Sequence, residues 1–228
     1  MNILFFPRKV SIPDDLPQSI KVLNFNINED ILIGGYYFLQ DENLPTILLF
    51  HGNGEVALEY IYFMDLFFKC GVNLSVVDFR GYGHSTGKPR FNNLVKDGLP
   101  IYKEFTKWIN EKGIKNSLFV LGRSLGSAPA TEIGAHNPED LKGVIISSGF
   151  GSFSNDARVK KFEKPTLIIH GSMDPIISVS EARVIFESVP NGVDKELIII
   201  EGAGHNDLFD YYKKEYFAPI KEFIEKYK

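Results

Sequence analysis

Ser124, Asp174 and His205 lie far apart in the chain, yet together they are the residue types that make a serine hydroxyl nucleophilic. A hydroxyl needs a general base at neutral pH, and imidazole is the side chain best suited to that task. The imidazole in turn needs a carboxylate that fixes its tautomer and stabilises its protonated form. Ser124 stands at the centre of Gly122-Arg123-Ser124-Leu125-Gly126, after the apolar run 118–121 and before Ser127-Ala128-Pro129-Ala130. A buried strand running into a helix through this pattern makes a sharp turn that lifts the serine clear of the sheet. Glycine on either side relieves the crowding of so tight a turn, and the helix that follows points its N–H groups at developing negative charge. The chemistry implied is acyl transfer through a covalent serine intermediate.

Five histidines compete for the role of base. His51 and His170 each end a strand-like run and precede a glycine, His84 lies in Gly81-Tyr82-Gly83-His84-Ser85, and His136 closes a helical stretch. Those settings fit loop geometry or surface. His205 follows Glu201-Gly202-Ala203-Gly204, whose glycines let a loop carry the ring over the serine, and it is expected to open the final helix. Asp174 is the expected carboxylate, placed after a strand in His170-Gly171-Ser172-Met173-Asp174-Pro175. Asp207 and Asp210 are nearer His205 in sequence, but they would share its helix and point elsewhere.

Acyl transfer also needs two amides to hold the oxyanion. One is expected from Leu125, the residue after the serine. The other is expected from the loop His51-Gly52-Asn53-Gly54-Glu55, with Asn53 the donor. No metal or organic cofactor is needed for such a reaction.

The elements around these residues follow from hydrophobic patterning. Residues 21–26 and 31–39 read as an antiparallel hairpin across the turn Asn28-Glu29-Asp30. After Pro45 short Val/Ile/Leu runs at 46–50, 73–78, 117–121, 143–147, 166–170 and 196–200 alternate with helix-length segments such as 99–108, 181–186 and 211–224. Near-continuous apolar strands imply a parallel sheet covered on both faces. The expectation is one α/β domain over 1–228, with a sheet of about eight mostly parallel strands and helices on both faces. Sites in such sheets form at the carboxyl ends of the strands, where every motif above falls.

The bulk properties exclude other classes. The chain has 228 residues, 44% hydrophobic and 24% charged, with a formal net charge of -4. That charge argues against a nucleic-acid partner. The single cysteine, Cys70, cannot form an internal disulfide and fits a reducing compartment. The apolar N-terminal stretch is too short for a signal h-region, and stable membrane insertion is not expected. A cytoplasmic protein is the resulting expectation.

With these residues in view, the sequence resembles the α/β-hydrolase superfamily, and within it the small, lid-poor α/β-hydrolase domain-containing proteins. The resemblance rests on His51-Gly52-Asn53, on Asp78-Phe79-Arg80-Gly81-Tyr82-Gly83-His84-Ser85, on the serine elbow, on His170 to Asp174, and on the chain order Ser124, Asp174, His205. It implies a serine hydrolase of the carboxylesterase or thioesterase type. Asp78 and Arg80 are expected to tie down a loop, and Arg123 to be packed or paired.

Only about fifteen residues separate the strand at 143–147 from Lys164-Pro165, too few for a helical cap. An open cleft follows, suited to a small-molecule acyl ester or an exposed acyl group on a larger partner. Phe150, Met173 and Ile176 are the expected substrate-contacting residues, with Tyr82, Phe91, Phe153 and Ile177 as further candidates for the lining. A serine peptidase or aminoacyl amidase is the alternative enzyme, and a non-catalytic binding protein on the same fold is the alternative class.

Overall fold

Alternation inside the apolar runs decides how the sheet is covered. In the computed structural model, which describes residues 4–114, 117–151 and 155–228, eight strands form one sheet in the order β1-β2-β4-β3-β5-β6-β7-β8. They are β1 (Ile20–Asn28), β2 (Ile31–Phe38), β3 (Thr46–Phe50), β4 (Asn73–Val77), β5 (Leu118–Arg123), β6 (Leu141–Ser147), β7 (Thr166–Gly171) and β8 (Lys195–Ile200). The hairpin β1–β2 is antiparallel, β2 pairs antiparallel with β4, and all remaining pairs are parallel.

Successive residues of each strand point to opposite faces, so Leu48, Val120, Val144 and Ile168 enter one apolar cluster while Ile47, Phe119, Ile145 and Leu167 enter the other. Helices α2 (Phe91–Glu111), α3 (Ser127–His136) and α5 (Val179–Ser188) cover the first face, and α1 (Met64–Phe68) and α6 (Lys213–Tyr227) cover the second. Helix α2 is the clearest case of sequence dictating packing. Leu94, Ile101, Phe105 and Ile109 recur at helical spacing and are all buried. Its Gly98 lets α3 approach, since a Cβ there would lie 2.9 Å from the Pro129 carbonyl oxygen.

The parallel register puts the carboxyl ends of β3, β5, β7 and β8 along one edge of the sheet. Phe50 pairs with Gly122, and Gly171 with Ile200. Between β6 and β7 the only helix among the described residues is α4 (Asn155–Val159), in keeping with the expected lack of a helical cap. Among the described residues no helix is long and apolar enough to cross a membrane.

One expectation is corrected. His205 does not open the last helix, because α6 begins at Lys213. Turns centred on Asp207 stand between His205 and that helix. Asp207 Oδ2 accepts the Gly204 N–H at 2.8 Å, and the Asp207 carbonyl oxygen accepts from the N–H groups of Asp210 and Tyr211. These turns leave His205 on a loop held at both sides.

Candidate active site

The elbow after β5 is shaped by close backbone approach. A Cβ on Gly126 would lie 2.0 Å from the Phe50 carbonyl oxygen, and one on Gly122 would lie 2.5 Å from the Gly126 carbonyl oxygen. Only glycine fits either place. Ser124 itself takes a left-handed backbone conformation, with φ of 51°. A non-glycine residue pays about 1 kcal/mol for that, which the packed turn must offset.

His205 Nε2 lies 2.9 Å from Ser124 Oγ, and His205 Nδ1 lies 2.6 Å from Asp174 Oδ2. An ionised carboxylate only accepts, so Nδ1 carries the proton and Nε2 is left as the acceptor for the serine hydroxyl. The Asp174 carboxyl is fully buried. Burial works against its ionised form, but hydrogen bonds from His170, His205 and the amides of Ile177 and Ile176 prevail and hold its pKa well below the ordinary 3.8. Both amides donate to Oδ1 at 2.8 Å, leaving Oδ2 to the imidazoles. His170 donates from Nε2 to the Ile177 carbonyl oxygen at 2.9 Å and lies 3.3 Å from Asp174 Oδ2. It therefore braces the loop that carries the carboxylate.

The structure thus brings Ser124, Asp174 and His205 together. Leu125 follows the serine within the short helical turn Ser124–Gly126, and Asn53 lies on the loop after β3, whose start the elbow touches through Gly126. Among the described residues, no acceptor is found for the Asn53 backbone N–H. Phe150 is half-buried, whereas Met173 and Ile176 are 68% and 64% exposed beside Asp174. Phe91 is half-buried, and Phe153 lies outside the described residues. Tyr82 and Ile177 are buried, so they belong to the core beneath the loops rather than to a cleft.

The other histidines and charged residues have structural work. His51 is wholly buried, 3.4 Å from Asp78 Oδ1, which also accepts the Ala57 N–H at 2.9 Å. Arg80 grips Asp97 through two hydrogen bonds of 2.6 Å. Arg123 is buried and pairs with Glu55, and its other nitrogen donates to the His205 carbonyl oxygen at 3.2 Å and to Asn206 Oδ1 at 3.0 Å. Glu55 in turn accepts from the Gly52 N–H and from the Tyr60 hydroxyl. One ion pair therefore links the elbow, the loop after β3 and the histidine loop. Sequence alone carries no signal of it, because its partners are 68 positions apart.

Burial pushes the Glu55 pKa up, but Arg123, His51, the Gly52 amide and the Tyr60 hydroxyl hold it below the ordinary 4.5. Glu55→Ala strands the buried guanidinium and is expected to lower unfolding stability by about 3 kcal/mol at pH 7. A carboxyl with a depressed folded pKa stabilises above its unfolded value and loses that contribution as pH falls through the folded one. The gap between wild type and variant, read from urea midpoints, should accordingly narrow below pH 4.5.

The profile of a family described as "Serine aminopeptidase, S33" matches residues 41–156 and 154–211. Alpha/beta hydrolase domain-containing protein aho-3 of Caenorhabditis elegans is 30% identical over 199 residues, 79% of this chain and 57% of that protein. Human alpha/beta hydrolase domain-containing protein 17B is 29% identical over 199 residues, 78% of this chain and 66% of that protein. The chain thus spans 57% to 66% of the length of these two curated relatives.

Among solved structures, the Pyrococcus furiosus esterase Pf2001 superposes with a TM-score of 0.80 at 18% identity, over 97% of this chain and 98% of that one. Est1E from Butyrivibrio proteoclasticus, solved with ferulic acid bound, superposes with a TM-score of 0.75 at 15% identity, over 90% and 98%. At such identities these two structures speak for the fold alone.

Proposed function

The chain belongs to the α/β-hydrolases, within the family described as serine aminopeptidase S33, and from that membership we propose that it is a serine hydrolase cleaving an acyl ester or thioester. The observation that carries this reading is the continuous chain of hydrogen bonds from Asp174 through His205 to Ser124, at 2.6 and 2.9 Å.

In the proposed reaction Ser124 Oγ attacks the acyl carbonyl as its proton passes to His205 Nε2. Asp174 stabilises the imidazolium without taking the proton. The carbonyl oxygen, now an anion, is held by the amides of Asn53 and Leu125. His205 then delivers the proton to the departing alcohol or thiol, leaving an acyl-enzyme. Water attacks that ester with His205 again as base, releasing the acid and restoring the serine.

Met173 and Ile176, exposed beside Asp174, and Phe150 across the elbow supply apolar surface for the acyl group. With one five-residue helix between β6 and β7, the described residues provide no helical cap over the cleft. That favours short acyl chains or an acyl group presented on a larger molecule.

A fluorophosphonate probe tests the reading without knowledge of the substrate. Intact protein is expected to gain one phosphonyl adduct, which peptide mass spectrometry places on Ser124. An intact, folded protein that takes no label would favour a binding protein on this fold. A label followed by hydrolysis of aminoacyl amides in preference to esters would favour the peptidase alternative, which the family description keeps in view.

A further inference from the structure

We infer that the N-terminal segment 4–10 is a working part of the site: it positions the Asn53 amide as an oxyanion donor. The inference rests on the proposed hydrolase reading.

Glu55 holds the base of the loop after β3 by accepting the Gly52 N–H at 3.0 Å and pairing with Arg123, but these contacts do not reach Asn53 and Gly54 at its tip. The loop's one internal backbone hydrogen bond, from the Glu55 N–H to the Gly52 carbonyl oxygen, is long at 3.4 Å. Gly54 has a φ of 82°, in the left-handed region. The N-terminal segment supplies what is missing. Asn53 Oδ1 accepts the Phe6 N–H at 3.0 Å, and Asn53 Nδ2 donates to the Leu4 carbonyl oxygen at 2.8 Å. The side-chain amide thus pairs with the segment's backbone as a neighbouring strand would. Arg8 donates to the Gly54 carbonyl oxygen at 3.0 Å and pairs with Glu59 at 2.7 Å. Both residues at the tip of the loop are therefore gripped from the same side.

The gripping segment is itself anchored. The Gly83 N–H donates to the Arg8 carbonyl oxygen at 2.8 Å, and the Val10 N–H to the Gly83 carbonyl oxygen at 3.2 Å. Phe5 packs against the core. Tyr82 joins the two parts from beneath. Its hydroxyl donates to Asn53 Oδ1 at 2.7 Å and accepts the Phe6 N–H at 3.1 Å. Asn53 consequently has its side chain wholly engaged by the segment and Tyr82, while its backbone N–H has no acceptor among the described residues.

That division is what a preorganised donor requires. An oxyanion amide must be fixed before charge develops, and displacement by about 1 Å can cost on the order of a hundredfold in rate. Asn53 is in this sense a positioning residue through its side chain, distinct from its backbone N–H, which meets the substrate. The Asn53→Ala variant separates the two, because it keeps the amide and removes the clasp.

The experiment uses the full chain, Asn53→Ala, a deletion of residues 1–6, and the two combined. Each single change is expected to lower kcat for p-nitrophenyl acetate by about ten- to a hundredfold, with KM within about threefold. The combined variant should be no slower than the worse single one, because both act through one contact. Amide hydrogen exchange across 51–56 should quicken in every variant, with thermal melting still far above the assay temperature.

Retention of kcat within about threefold in either single variant would overturn the inference, as would multiplication of the two effects. If the deletion unfolds the chain, Asn53→Ala with Tyr82→Phe takes its place, with the same expected failure to multiply. Failure of the hydrolase reading looks different: wild type and Ser124→Ala would be equally inert to ester and probe. The exchange measurement then decides the inference by itself, and unchanged exchange in Asn53→Ala would sink it.

Discussion

Ser124→Ala is expected to abolish ester hydrolysis, lowering kcat on the order of a million-fold while leaving the fold intact. The size of the effect follows from what the hydroxyl does. Ser124 Oγ lies 2.9 Å from His205 Nε2 and is the only atom the proposed reaction offers to form the acyl bond. Alanine removes that atom, so no covalent intermediate can form, and His205 loses the group whose proton it takes.

What survives is attack by water assisted by the oxyanion amides, which in comparable enzymes amounts to about a thousand- to ten-thousandfold over the uncatalysed rate. Stability is a clean control. Alanine meets the same left-handed strain at φ of 51° as serine does, and the nearly buried side chain loses a single heavy atom, its hydroxyl oxygen. Steady-state hydrolysis and a melting curve suffice. A variant that keeps more than about a hundredth of wild-type kcat would remove Ser124 from its assigned role.

Asp174→Asn is expected to lower kcat by about ten-thousandfold with KM little changed. The exchange is nearly isosteric, so its effect lies in hydrogen-bond polarity. Oδ1 of the wild-type carboxylate accepts from the amides of Ile176 and Ile177, and an amide oxygen can continue to do so. The introduced NH2 group would then occupy the place of Oδ2, facing His205 Nδ1 and His170 Nε2. Donor would meet donor.

His205 can relieve the conflict only by moving its proton to Nε2, and in that tautomer it cannot accept the Ser124 proton. The imidazolium formed in the reaction would also lose its counter-charge. Single-turnover kinetics with an activated ester should therefore show slowed acylation. Unimpaired acylation would mean that Asp174 serves only to shape its loop.

Much of this was readable from residue types. Strand-length Val/Ile/Leu runs placed the parallel sheet, while the elbow motif with its flanking apolar run pointed to Ser124 and the loops after strands pointed to Asp174 and His205, three side chains that the structure brings within hydrogen-bond distance. These signals are local: a glycine-bounded turn, a period of two and a strand end are each written within about ten residues. The element ends were less legible. Helix α2 runs over Phe91–Glu111, well beyond the expected 99–108, because its first turns include Asn92, Asn93 and Gly98, residues of low intrinsic helix propensity, and packing against α3 is supplied at Gly98. At His205 the expected helix is replaced by turns around Asp207, and α6 begins only at Lys213.

By itself the sequence determined which groups could react, in what order they occur and which fold presents them. Chain order and hydrophobic period suffice for that. Only the tertiary structure decided how those groups are held: the Arg123–Glu55 pair joining three loops, His170 behind Asp174, and the N-terminal segment clasping Asn53. His170 lies only four residues from Asp174, but the ion pair and the clasp depend on residues that meet across the fold, 68 positions apart for the first and up to 49 for the second. Contacts of that kind leave no periodic or local mark, because an arginine or an asparagine reads the same whether it faces water or ties two distant segments together.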